Sequence, residues 1–182
     1  MPVAELPGDS AGRHYRRVRV EGRPDYEREI VLVTRSRDGS PGVHLVTPVR
    51  VAGRDTAVLV NRGWVYSPDG TAVDGARWRD ADTLAVDGWV ELPSRRPGAA
   101  RLASTPRAYR WLDPAAVERE LGYPVTPYYV VLSPAPGETP AFDRPARLDP
   151  PALDEGPHRS YAVQWFSFAA VALVGAGAFV RA

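Results

Sequence analysis

The chain has 182 residues, 44% of them hydrophobic, which suits one ordinary domain with room for an appended segment. It has no cysteine and one methionine, Met1, so disulfides, thiolate metal sites, cysteine nucleophiles and thioether copper sites are excluded. A net charge of +1 provides no general attraction to nucleic acid, and with arginine in place of every lysine, isolated arginines carry less weight than rare residues in special places.

The opening stretch "MPVAELPGDSAGRHYRR" has no apolar run, so no signal peptide is read there and residues 1–14 are expected to be a flexible start. Its "GDS", Gly8 to Ser10, has no strand before it and no base nearby, and reads as a linker rather than a hydrolase nucleophile. "HYRRVRVEG" alternates, with Arg16, Val18 and Val20 on one face, and Gly22 is expected to stop it. "REIVLVTRS" and "GVHLVTPVRV", separated by a turn at Arg37 to Ser40, extend this first strand into a meander. A fourth strand, "TAVLVNRGWVY", ends in Asn61, Arg62, Gly63 and Trp64, and a polar loop from Ser67 to Asp80 leads to the fifth, "TLAVDGWVEL".

"PSRRPGAARLASTPRAYRW" is a long connection without a clear period. In "DPAAVERELG", Asp113 can cap a helix, Pro114 fits its first position and Gly122 ends it; "PYYVVLS" then supplies a sixth strand. Strands outnumber helices and most connections are short. The expected fold class is therefore mainly β: a small antiparallel β-barrel-like extramembrane domain over 15–133 with one short helix, plus a C-terminal transmembrane helix. Residues 134–157 are proline-rich and read as a semi-rigid tether.

From Tyr161 to Val180 no residue is charged, and a helix of that length covers roughly the 30 Å hydrocarbon core of a bilayer. Tyr161, Trp165, Phe166 and Phe168 crowd its first third, as in an interfacial belt. A helix docked on the domain would need a polar face, and beyond Ser167 there is none, so a membrane span over 158–180 is expected. Arg181 beyond it is compatible with a cytoplasmic C-terminus.

Two groups stand out as site candidates. Asn61, Arg62, Gly63 and Trp64 form either a lip facing a partner or a strand end in which Gly63 supplies an unusual backbone angle and Trp64 plugs the barrel. His158 is either an ordinary interfacial side chain in the first turn after Pro157 or a ligand, with Tyr161 and Trp165 on the same helical face. His44 reads as a surface or lip residue, and neither it nor His14 has a companion at metal spacing. No phosphate loop, paired carboxylates or base-stacking motif is present, so an enzyme is not expected.

The run "TAVLVNRGWV", preceded by "SRDGSPGVHLVTPVRV" and followed by "HRSYAVQWF", resembles the surfeit locus protein 1 family, assembly factors of cytochrome c oxidase. The resemblance spans nearly the whole chain, from "YRRVRVEGRPD" to the tail. It implies a β-rich domain on the outer face of the inner (plasma) membrane, between an N-terminal and a C-terminal transmembrane helix. The first helix has no counterpart ahead of the strands here, which makes this either a truncated reading or a member anchored by its tail. The resemblance further implies heme a as a transient cofactor, with His158 as iron ligand beside Tyr161 and Trp165. The implied partners are the oxidase catalytic subunit and heme A synthase. The alternative within the same pathway is a cofactor-free chaperone that stabilises an oxidase intermediate.

Overall fold

The computed structural model describes residues 1–7, 10–93, 96, 98–139, 143–151 and 158–181, and the chain divides into two units, Met1–Pro150 and Pro151–Ala182. In the first unit the strands are β1 (Arg17–Pro24), β2 (Ile30–Arg37), β3 (Ser40–Arg50), β4 (Ala57–Tyr66), β5 (Leu84–Glu91), β6 (Ala108–Tyr109) and β7 (Val125–Leu132). Two helices accompany them, α1 (Ser10–Arg13) and α2 (Pro114–Leu121). The sheet order is β1-β5-β7-β4-β3-β2-β6, and a further pairing of β1 with β3 closes β1, β5, β7, β4 and β3 into a five-stranded barrel.

Alternation along β1 does what its pattern predicts: Val18 and Val20 are buried while Arg17 and Arg19 face out. Gly22 does not stop the strand. A Cβ there would fall 2.3 Å from the Arg50 carbonyl oxygen, so its absence lets β1 press onto β3 and pair Arg23 with Arg50 and Pro24 with Val49. The barrel interior is filled by valines from all five strands, among them Val20, Val49, Val60, Val90 and Val130, with Tyr128 as the large residue. A second core lies between the outer face of the sheet and α2, where Val117 and Leu121 meet Leu32, Leu59, Tyr109 and Leu112. Helix α2 has the expected ends: the Asp113 carboxylate accepts from the Ala115 and Ala116 N–H groups, Pro114 opens the helix and Gly122 closes it at φ +77°.

Two pairings are parallel rather than antiparallel, β4 with β7 and β2 with β6. Strand β7 inserts between β4 and β5, which are consecutive in the chain, and β6 is a two-residue element in the aperiodic connection. The expected flexible start instead lies along β1. Val3 is buried, and the Met1 carbonyl accepts the Arg19 N–H at 2.9 Å. Gly8 and Asp9 of "GDS" lie outside the described residues.

The expected tether also begins as packed structure. Ala146 and Trp64 exchange N–H to O bonds of 2.8 Å in each direction, Pro145 is buried, and Leu148 N–H reaches the Leu132 carbonyl. Residues 140–142 and 152–157 of the tether lie outside the described residues. In the second unit, α3 (His158–Arg181) contains Arg159–Val180, with mean hydropathy 1.8, long and apolar enough to cross a membrane. Its described large apolar side chains are exposed, including Phe166, Leu173 and Phe179. Ser167 returns its hydroxyl hydrogen to the Val163 carbonyl at 2.7 Å, so this hydroxyl is satisfied within the helix.

Gly63 sits at φ +129°, and a Cβ on it would come within 2.2 Å of the Ala146 carbonyl oxygen. Gly63→Ala should therefore cost about 2–4 kcal/mol of domain stability and loosen the segment around Ala146. Urea unfolding reads the first effect and limited proteolysis between Arg144 and Asp149 the second. Unchanged unfolding and unchanged cleavage would contradict this role for Gly63.

Candidate functional site

The four residues singled out on β4 are organised by a bulge. Gly63 pairs with Leu45 and Asn61 with Val46, which leaves Arg62 as the extra residue between them. Arg62 keeps the inward side of Val58 and Val60, with its side chain 0% exposed, and the bulge shifts the alternation beyond it so that Trp64 falls on the other face. Its Nε donates to Thr47 Oγ1 at 2.9 Å, Nη2 to Glu29 Oε2 at 2.7 Å, and Nη1 to both Asp80 Oδ2 at 2.8 Å and the Trp78 carbonyl at 2.5 Å. Thr47 donates its hydroxyl hydrogen to Glu29 Oε2 at 2.5 Å, and the Tyr26 ring lies 5.1 Å from the guanidinium carbon. Burial alone would disfavour the charge, but Glu29 and Asp80 outweigh it and raise the Arg62 pKa above the usual arginine value.

Arg62 is thus enclosed by internal partners and does not stand at a lip. Trp64 does not plug the barrel either: it alternates with buried Val65 and lies against Gly42, and its indole N–H has no partner among the described residues. Asn61 is nearly buried; its Oδ1 accepts the Gly63 N–H at 3.1 Å and its Nδ2 lies 3.2 Å from His44 Nδ1. That contact suits a neutral imidazole with Nδ1 as acceptor. Burial, reinforced by the charge of Arg35, brings the His44 pKa down to about 4. His44 is accordingly half-buried and not a surface residue. His14, at the other side of the sheet sequence, pairs with Glu91 at 2.8 Å and stacks on Tyr15.

The second candidate group lies on α3. His158 opens this helix, and its side chain lies outside the described residues. Tyr161 is 55% and Trp165 71% exposed, and Trp165 meets Phe168 edge to face with ring centroids 6.2 Å apart. Spacings of three and four residues put positions 158, 161 and 165 on one side of the helix. Among the described residues no cluster of three or more His, Asp or Glu side chains could hold a metal ion.

The partners of Arg62 were missed by sequence reasoning. The available signal was an arginine in the middle of an otherwise apolar strand, which requires buried counter-charges from elsewhere in the chain.

Both groups, and the domain between them, fall within the SURF1 family model, which matches residues 1–170. The chain belongs to the SURF1 family. A SURF1-like protein of Drosophila melanogaster is 30% identical over 208 residues, an alignment that covers 93% of this chain and 61% of that protein. The SURF1-family chain described here therefore spans about three-fifths of the length of that relative. The family match takes in the Arg62 network whole and runs on through His158, Tyr161 and Trp165.

Two outcomes test this account of the SURF1-family domain. Arg62→Met strands the Glu29 carboxylate in the interior and should cost about 3–5 kcal/mol by urea unfolding, with part of it recovered when Glu29→Gln is added. A single variant within 1 kcal/mol of the parent would remove the network from the account. His44 is depressed in the fold, so between pH 6.5 and about 4 the unfolded chain takes up a proton that the folded chain refuses. Stability is complete above pH 6.5 and falls on acidification through that window, by about 3 kcal/mol at most. His44→Gln should flatten the dependence of the melting temperature on pH there; identical profiles would contradict it.

Proposed function

We propose that this chain is a non-catalytic, membrane-anchored assembly factor for a heme-copper cytochrome c oxidase, which holds heme a and passes it to the catalytic subunit. The carrying observation is the SURF1-family match that runs from the β-domain into an apolar helix beginning at His158. The residues present suit such a cargo. A neutral imidazole can ligate heme iron, and Tyr161 and Trp165 offer exposed aromatic surface at helical spacing from it. Heme a when bound would bring the redox-active iron; His158 would ligate it, and Tyr161 and Trp165 would offer aromatic surface to the macrocycle. The absence of cysteine fits heme handling better than copper donation.

In this reading the β-domain lies on the outer face of the inner membrane and docks on the oxidase catalytic subunit and heme A synthase, with the C-terminus in the cytoplasm. Half-buried Trp64 would contribute to the docking face, with buried Asn61 supporting it. Arg62 and Gly63 would shape it from beneath, through the bulge and the close approach of Ala146.

Co-expression with a heme A synthase, purification in detergent and an absorption spectrum test the proposal. The protein should carry a heme a spectrum that His158→Ala reduces at least tenfold, about 1.4 kcal/mol or more of binding free energy. A colourless parent protein would overturn heme carriage and leave the cofactor-free chaperone.

A further inference from the structure

Strands β1 and β5, residues 132–138, and Arg144 and Arg147 enclose a cleft of about 500 Å³. One wall is apolar, with buried Val18 and Leu132 beside Val86 and Pro134, while Arg17, Arg144 and Arg147 line the rest. A second cleft of about 230 Å³ shares Arg144 and Arg147 and adds Arg37.

The carboxylates of the larger cleft are already engaged. Asp87 accepts from Arg19 Nη1 at 3.3 Å, and Glu138 accepts from the Ala135 N–H at 2.7 Å and pairs with Arg144 Nε at 3.4 Å. Two guanidiniums are left over. Among the described residues the Arg17 side chain makes no hydrogen bond or ion pair. Arg147 spends Nη1 on the Arg62 carbonyl at 2.6 Å and has no carboxylate partner among the described residues. Burial, with the nearby charges of Arg62 and Arg144, pulls the Arg147 pKa below the usual arginine value despite Asp80 and Glu138. A partly desolvated guanidinium without a counter-charge is costly, and its planar fork is matched by a carboxylate or a phosphate.

We propose that this cleft receives the acidic end of an amphipathic ligand, a carboxylate or phosphate on an apolar body, with Arg17 and Arg147 as its counter-charges. Val86, Pro134 and Pro136 take the adjoining apolar part. A heme propionate is one source of that acidic end; this identity rests on the proposed heme function, whereas the anion site itself does not. The other source of the same chemistry is an acidic lipid headgroup.

The test uses the full chain in a non-ionic detergent, titrated separately with hemin, hemin dimethyl ester and dodecyl phosphate. Arg17→Gln is the main variant because Arg17 is exposed and unpartnered, so its loss leaves the fold intact. It should weaken hemin or dodecyl phosphate binding about tenfold, and adding Arg147→Gln should weaken it further. The ester, which lacks the charges, should bind parent and variants alike. Arginine-dependent binding of hemin assigns the cleft to propionates, and the same dependence for dodecyl phosphate alone assigns it to a lipid headgroup. Binding of both acidic probes by Arg17→Gln within twofold of the parent, or binding of neither by the parent, overturns the site. Failure of the heme reading has a separate signature: His158→Ala then leaves the iron spectrum unchanged, whatever Arg17 does.

Discussion

A guanidinium buried in a β-barrel must be matched by charge and hydrogen bonds on every side, and Arg62 imposes that requirement on this domain. Glu29 comes from the entry to β2, Thr47 from β3, and Trp78 and Asp80 from the loop before β5. Three stretches of chain distant in sequence are held to one side chain. The neighbours of Arg62 extend the arrangement. Asn61 holds His44, Gly63 admits Ala146, and the Arg62 carbonyl receives Arg147, so one bulge links the barrel interior, its outer face and the arginine-lined cleft.

Elements that carry their own periodicity were legible in the sequence. Alternation marked β1, β-branched apolar runs bounded by turn residues marked β2, β3, β4, β5 and β7, and Asp113, Pro114 and Gly122 marked α2, because local patterning and capping decide those segments. The barrel was legible as a class, but its closure was not, since it depends on Gly22 approaching Arg50 across the sheet. Strand β6 exists only as two residues laid on β2, and the parallel partner of β7 is set by distant contacts, so neither leaves a local signal. The same limit explains the start and the tether: Val3 and Pro145 are buried by surfaces that no window of sequence displays. For "VNRGWV" the residues marked an unusual place, but Arg62 is enclosed by distant partners and the bulge reverses the facing of Trp64, which left lip and plug both inexact.

The SURF1 family match takes in two units of different character, a β-domain with a valine core and most of a helix whose described large apolar side chains are exposed. The two units carry different chemistry. The domain offers guanidinium and imidazole groups fixed by buried hydrogen bonds, while the helix offers aromatic surface next to a histidine. Under the proposed function each set of contacts would have to be weak enough for release.

The position of β7 has a consequence for how the domain is made. Strands β4 and β5 follow one another in the chain yet do not pair, because Val125–Leu132 lies between them. Until that stretch has been synthesised, both flanking strands present open edges, and the ring has no way to close. Closure therefore waits on contacts of long sequence separation, the class that folds slowly and is exposed to strand-to-strand aggregation meanwhile. A chain stopped before Val125 would be a curled sheet with two unpaired edges, and its valine core would lie open to the first strand that found it.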